Sequence, residues 1–511
     1  MADGYERVVR DTFLNNPGKP VIMFRELIFL NMTSSDSSKP TFRQRLKGFV
    51  ERRLLLGQPL TLELSAILLV YFVQGILGLA RLAVSFFLKD DIALSPAEVS
   101  ALMGIAALPW TIKPVFGFLS DGLPIFRYRR RPYLVISGIL GAIAWLSMAT
   151  LVHTPIAATA AILLSSLSVA ISDVIVDSLV VERVREEGQA EAGTLQSLAW
   201  GASAVGGLMT AYLGGILLEH TSTQVIFEIT ASFPLVVSAA AWLISEDPVS
   251  EQSNLQVVAE QVRLLKGAIS QKAIWMPALF LFLWQATPTA DSAFFFFSTN
   301  ELGFEPEFLG RVRLVTNLAS LIGIWVFQRF LKEVSFRKIF GWSTVISAVL
   351  GMTTLLLVTH ANRAIGIGDQ WFSLGDSLIL TVAGQIAFMP VLVLSARLCP
   401  PGVEATLFAL LMSVVNLSGL FSHELGALLT HWLQVTETDF SNLWVLVLIT
   451  NLSTLLPLPL LGLLPQTSAV QSSDSEESAS ESGLIPQGEP ILALTAPEIT
   501  DEAAVRLDVT L

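Results

Sequence analysis

Val73-Gln74-Gly75-Ile76-Leu77-Gly78-Leu79-Ala80-Arg81-Leu82-Ala83-Val84-Ser85-Phe86-Phe87-Leu88-Lys89-Asp90 decides the fold of this chain, because its pattern returns 211 residues later. Val73-Gln74 is answered by Trp284-Gln285, the run Val84–Leu88 falls on Phe295-Phe296-Phe297-Ser298-Thr299, and Asp90 stands opposite Glu301. Further on, Arg183 is matched by Arg397, and Glu191-Ala192-Gly193-Thr194-Leu195 by Glu404-Ala405-Thr406-Leu407, at nearly the same spacing. Each match alone is weak. Their common offset predicts a duplicated unit.

Both copies lie in apolar sequence. Arg81, Lys113, Asp173, Asp177 and Asp291 each interrupt a run of about 20–27 residues, the length needed to cross a bilayer. An ionisable group near the bilayer centre costs several kcal/mol, so it faces a protein interior or a water-filled path. Such a set reads as the lining of a transport cavity.

Composition agrees. Hydrophobic residues make up 52% of the 511, charged residues only 14%, and the mean hydropathy is +0.63. A soluble protein carries about 25% charged residues. The apolar runs are too long for the strands of a membrane barrel. Hydropathy predicts an all-α integral membrane protein of about twelve helices, at 62–88, 97–120, 133–152, 155–181, 194–218, 224–245, 274–298, 308–331, 337–358, 374–396, 404–430 and 440–463. The layout that follows is an N-terminal segment 1–60, six-helix halves 61–246 and 274–465, a linker 247–273, and an acidic tail 466–511. The tail, rich in Ser, Pro, Ala and carboxylates, is expected to be disordered and carries much of the net charge of −12. Parallel six-helix halves are the plan of major facilitator transporters, whose substrate site lies between halves near the midplane.

Loop charge orients the chain. One side receives Arg43, Arg45, Lys47, Arg52 and Arg53, then Arg127 and Arg129–Arg131, Arg183, Arg185, Arg263, Lys266, Lys272, Arg329, Lys332, Arg337, Lys338 and Arg397; the other holds Lys89 and Arg363. By the positive-inside rule the basic loops and both termini are cytoplasmic. The first 60 residues show no signal-peptide pattern.

Lys113-Pro114-Val115-Phe116-Gly117-Phe118-Leu119-Ser120-Asp121, followed by Arg129-Arg130-Arg131-Pro132-Tyr133, resembles the signature loop of the major facilitator superfamily. Gly117 would allow close helix approach, and Asp121 would pair with Arg129, Arg130 or Arg131 as a conformational latch. The plainer reading of the basic cluster is anchoring at the membrane surface. Asp173 and Asp177, four apart, share a helix face about 6 Å apart along its axis. Two carboxylates that close repel and favour holding one proton between them, which suits proton coupling. The plainer alternative is a structural pairing of one of them with Lys113 or Arg183. Gln385, Asn416 and Glu404 read as polar glue between helices, and Gly201, Gly206, Gly207, Gly214 and Gly215 as close-packing positions. Arg311 and Arg313, at the start of the eighth span, read as snorkelling cations.

Taken with Ser172-Asp173-Val174-Ile175-Val176-Asp177, Val181-Glu182-Arg183, Asp291-Ser292-Ala293-Phe294-Phe295-Phe296-Phe297 and Gly384-Gln385-Ile386-Ala387-Phe388-Met389-Pro390, the chain resembles the folate–biopterin transporter family over roughly residues 60–465. The resemblance implies a secondary carrier of folates or pterins working by alternating access, with proton symport as the expected coupling. A folate presents a glutamate tail that needs a cation and a pterin edge that needs a carboxylate. Arg81 and Asp291, at nearly equivalent places in the two halves, supply those complements. An Arg81–Asp291 salt bridge is the bland rival. Lys113, Gln385 and Trp284 complete the expected substrate-binding set, with Trp284 able to stack on a pteridine.

A carrier of sugars or drugs would rely on aromatic and amide groups more than on Arg81, and a receptor or scaffold would not need charges inside several spans. No P-loop, metal-ligand spacing or nucleophile constellation is present, and Cys399 is the one cysteine, so no enzyme activity, metal or cofactor is expected. The expected partners are a small folate or pterin, protons and the lipid bilayer, without nucleic acid, around a monomer. The expected location is a bacterial inner membrane, with the plastid envelope as the alternative.

Overall fold

The computed structural model describes residues 57–187, 189–248, 269–331, 334–398 and 404–465, with the isolated positions 51, 55, 263, 266 and 267. The basic N-terminal segment, most of the linker and the acidic tail therefore lie outside the described residues, as do the side chains of Arg183, Glu191, Arg397 and Glu404. The chain divides into Met1–Leu60 and Thr61–Leu511, and every helix described below belongs to the second unit.

Eleven helical segments among the described residues are long and apolar enough to cross a membrane. In chain order they are α1 Leu62–Asp91, α2 Pro96–Gly122, α3 Arg131–Thr150, α4 Pro155–Val180, α5 Leu198–His220, α6 Thr223–Leu243, α8 Pro306–Leu331, α9 Phe336–Val358, α10 Asp369–Ser395, α11 Leu407–Trp432 and α12 Leu443–Leu463. The seventh expected span is discontinuous. It runs as α7a, Lys272–Gln285, breaks over 286–290, and resumes as α7b, Asp291–Phe296. Pro288, lacking an amide hydrogen, sits in the middle of the break, and Thr289 Oγ1 accepts the Asp291 amide at 3.2 Å in place of a helical carbonyl. The corresponding part of α1 only tightens into a 3₁₀ turn at Leu77–Leu79.

The duplication is visible in backbone detail. Each first helix of a half ends in a π turn, Phe87–Asp91 and Phe297–Glu301. A residue with positive φ follows in both, Ala93 at 57° and Gly303 at 65°. Each second helix then opens on proline, Pro96 or Pro306, a residue suited to the first helical turn. Ser95 adds a capping box with Glu98, whose carboxylate accepts the Ser95 amide at 2.8 Å.

Each half packs tightly within itself. The halves meet along α2 with both α7b and α11, along α5 with α8, and where α1 touches α7b. At the end opposite the basic loops, Lys89 Nζ donates to Asn300 Oδ1 at 2.9 Å and Phe86 meets Phe295 edge-on at 5.2 Å. Tyr212 donates to Glu307 at 3.0 Å, and a Cβ placed on Gly215 would stand 2.8 Å from the Gly310 Cα, so these helices touch backbone to backbone. Ser100 Oγ reaches the His423 carbonyl at 2.9 Å. These contacts join the two halves at that end.

Candidate functional site

In the N-terminal half, α2 is interrupted at Ile112, whose φ of −107° and ψ of 17° leave the helical region. The helix restarts at Lys113, with Pro114 in a turn whose amide hydrogens have no helical acceptor anyway. The interruption frees the Trp110 carbonyl to accept from Asn416 of α11 at 3.1 Å. It also turns Lys113 toward α4, where it forms an ion pair with Asp173 and lies 4.7 Å from the Trp110 ring centroid. One turn along α4, Asp177 accepts a hydrogen bond from the Tyr71 hydroxyl of α1. Asp177 is accessible to water yet surrounded by helices, as a cavity-lining group is. Lys113 thus holds Asp173, and Asp177 is left with a neutral partner.

Arg81 of α1 is likewise water-accessible within the bundle, and Arg313 of α8 is close enough for the two like charges to interact. Neither guanidinium has a hydrogen-bond or ion-pair partner among the described residues. Arg313 is half-buried, and Arg311 faces outward, paired with Glu307. Arg81 and Asp291 form no direct pair. Arg81 and Arg313 are thus two cations from opposite halves, with no anion paired to either among the described residues.

A cavity of about 550 Å³ opens inside the C-terminal half, walled by the broken seventh helix and by α9, α10, α11 and α12. That volume is typical of small-molecule sites. The α7 break forms one wall and is pinned by α11. Ser422 Oγ donates to the Thr287 carbonyl at 2.5 Å, the Thr289 amide donates to the Ser422 carbonyl at 3.3 Å, and a Cβ on Gly426 would come within 2.1 Å of the Thr289 oxygen. Trp284 lines the cavity with its indole N–H held by Thr344 Oγ at 2.9 Å and its ring edge-on to Phe340 at 5.2 Å. Asp291 opens α7b on the cavity wall, its field reaching His423 of α11. Asp376 of α10 accepts from the hydroxyls of Thr353 at 2.5 Å and Thr354 at 2.9 Å. Gln285 and Ser347 also line the cavity, and their Oε1 and Oγ atoms are buried without a hydrogen-bond partner among the described residues.

The basic loop between α2 and α3 is a separate device. Arg130 pairs with Asp121 at 2.8 Å and donates to Ser120 Oγ at 2.9 Å. The backbone amides of Arg129, Arg130 and Arg131 all point at the Glu246 carboxylate just past α6, at 2.5, 2.9 and 3.0 Å. Glu246 thereby caps the start of α3, where free amides and the helix dipole favour an anion. The Arg131 side chain closes the ring on the Ile244 carbonyl.

The BT1 family profile matches residues 74–483, about four-fifths of the chain. The chain belongs to the BT1 family. It is 63% identical over 424 residues to a folate-biopterin transporter of Synechocystis sp., covering 83% of this chain and 86% of that protein. A probable folate-biopterin transporter 2 of Arabidopsis thaliana is 33% identical, covering 77% and 80%, and folate transporter 2 of Plasmodium falciparum is 31% identical, covering 81% and 90%. Among solved structures, the nucleoside transporter NupG superposes with a TM-score of 0.59 at 15% identity over 78% of this chain and 98% of that one. A D-xylose–proton symporter gives 0.58 at 14% identity over 79% and 99%. This BT1 protein is thus a membrane transporter of major facilitator fold, not an enzyme, as the motif resemblance implies.

Set against the sequence expectations for a BT1 transporter, the structure gathers the residues into separate places. Asp173, Asp177 and Lys113 cluster as an N-terminal triad with Tyr71, which supplies a partner absent from the sequence reading. Trp284 and Asp291 share the C-terminal cavity. Gln385 does not line that cavity, because it is wedged against α8, where a Cβ on Gly323 would lie 2.7 Å from its own. Gly117 is not needed for close approach; a Cβ there would meet Val174 at an ordinary 3.6 Å. Of the three loop arginines, Arg130 is the one shown bonded to Asp121 through its side chain. Asp376 sits two residues inside the predicted tenth span, where a carboxylate reads as interfacial, and Glu246 falls on the predicted border of the linker.

Proposed function

We propose that this chain is a secondary active transporter of folates or pterins, working by alternating access and coupled to protons. What supports the reading is a cation within a span of each half, Arg81 and Arg313, neither with an anionic partner among the described residues. A folate ends in a glutamate with two carboxylates, and a guanidinium pair can bind it through charge-assisted bidentate hydrogen bonds. Binding across the halves also gives the substrate a reason to draw them together. Asp291 serves the pterin edge, accepting from the ring N–H and exocyclic amine in the manner of a carboxylate on an amidine-like group. The names of the curated relatives support folates and pterins as the cargo.

Proton coupling rests on the Tyr71, Lys113, Asp173 and Asp177 cluster. Lys113 neutralises Asp173, so Asp177 is the carboxylate whose charge can come and go with a proton while its neighbour stays fixed. The loop joining Asp121, Arg130 and Glu246 serves as a conformational latch at the basic end. We place that end in the cytoplasm of a bacterial cell, with the transporter acting as a monomer in the inner membrane.

The test is uptake of labelled folic acid, a reduced folate and biopterin by proteoliposomes carrying the purified chain, with and without an imposed pH gradient. Accumulation driven by an inward proton gradient supports the reading. Uptake of none of the three overturns the cargo, and uptake insensitive to the gradient overturns the coupling.

A further inference from the structure

The cavity of the C-terminal half has a wall that is incomplete in a particular way. Gln285 and Ser347 line it from α7a and α9, and Gln285 Oε1 and Ser347 Oγ are buried without a hydrogen-bond partner among the described residues. Buried polar atoms are almost always paired in folded proteins, so two left unpaired on residues that line one cavity mark a place where a side-chain turn brings them to a ligand that supplies the partner. Asp291 stands on the same wall with no side-chain hydrogen bond, while Asp376 is already satisfied by two threonine hydroxyls. The aromatic faces are Trp284, Phe294 and Phe388. Trp284 cannot offer its indole N–H, which Thr344 has taken, so it presents a ring surface rather than a donor.

This set of an acidic acceptor, an amide and a hydroxyl between flat aromatic walls is the complement of a planar heterocycle with donors and acceptors on its edge. We propose that the 2-amino-4-oxo bicyclic head of the substrate is held wholly inside the C-terminal half, with Gln285 and Ser347 reading its polar edge beside Asp291. The inference rests on the folate and pterin reading above and adds to it the residues that select the head. An amide suits the task because its oxygen accepts from an exocyclic amine and its NH₂ donates to a ring carbonyl; the two ends are exchangeable by a flip. The serine hydroxyl donates to a ring nitrogen or carbonyl. The site is then divided: a head cavity in one half, and a tail site at Arg81 and Arg313 between the halves.

Three probes separate these parts. Biopterin carries the head without a glutamate, p-aminobenzoylglutamate carries the tail without the head, and folic acid carries both. Binding of each to the purified full-length chain is measured for wild type, Gln285→Leu and Ser347→Ala. Either substitution is expected to weaken biopterin and folic acid about tenfold, the effect of removing one hydrogen bond from a buried polar edge. Binding of p-aminobenzoylglutamate is expected to stay unchanged. Ser347→Ala removes a single oxygen and keeps the test valid if the larger change disturbs folding. Unchanged biopterin binding in both variants overturns the proposal, and so does an equal loss for all three probes. A wild type that binds none of them removes the folate and pterin reading itself, and the proposal with it.

Discussion

Arg81→Gln or Arg313→Gln is expected to weaken folate far more than biopterin, which lacks the glutamate tail. Loss of one hydrogen bond to a charged group costs about 1.5–3 kcal/mol, roughly 10- to 150-fold in affinity. Competition of unlabelled folate and biopterin against labelled folate uptake reads the difference, and equal losses for the two ligands would remove the tail assignment. Asp291→Asn is expected to weaken both ligands alike. Rescue of transport by the double exchange Arg81→Asp, Asp291→Arg with unchanged selectivity would instead make the pair scaffolding. Asp177→Asn is expected to abolish accumulation driven by a pH gradient while the protein remains in the membrane. Asp173→Asn leaves Lys113 without its anion and should lose transport even by exchange, because a stranded ammonium in the bundle is costly. At this scale the sequence exposes charges and hides amides. Arg81, Asp173, Asp177 and Asp291 stand out because an apolar run makes any charge conspicuous. Gln285 and Ser347 are ordinary residues of a membrane helix until the fold shows that their polar atoms meet no partner. Arg313, read from the sequence as a snorkelling cation, is half-buried on α8, which packs against α5.

Among the elements, the seventh helix departs furthest from its expected form. Windowed hydropathy averages across five residues of irregular backbone, so it returns one span where the chain makes two pieces. The break persists because α11 holds it through Ser422 and leaves room for it at Gly426. Gly426→Ala is therefore expected to displace the Thr287–Thr289 backbone and reduce uptake of every substrate at least tenfold with little loss of protein from the membrane, since the wall of the cavity moves as a unit. A full-activity Gly426→Ala variant would show that the break tolerates that shift. The capping of α3 gives a stability test free of the transport site. Glu246→Ala removes the acceptor of three backbone amides and is expected to cost about 1–2 kcal/mol, as loss of a helix cap does. A lowered unfolding midpoint in detergent checks it, and Glu246→Gln, which keeps an acceptor, should lose less.

On the scale of the whole molecule, hydropathy and loop charge predict the helices and their alternation, and the described spans follow them within a few residues except at the seventh. Orientation remains an expectation with a direct check. In a chain whose Cys399 is replaced by serine, cysteines at Ser95, Thr154 and Gly303 should react with an impermeant thiol reagent from outside the cell, and one at Ser335 should not. The opposite pattern would invert the molecule. Periodicity and offsets cannot say which residues join the halves, because those contacts depend on how the halves lean together rather than on any local pattern. The contact of Lys89 with Asn300 has a consequence for ancestry. These two residues occupy the same position in the two repeats, so the pseudo-twofold axis runs between them. In a dimer of identical six-helix chains that position would face its own copy, and lysine against lysine would repel. A donor ammonium can meet an acceptor amide there only when the two copies are free to mutate separately. The pairing thus records a difference between the two repeats at the one place where an exact copy would oppose itself.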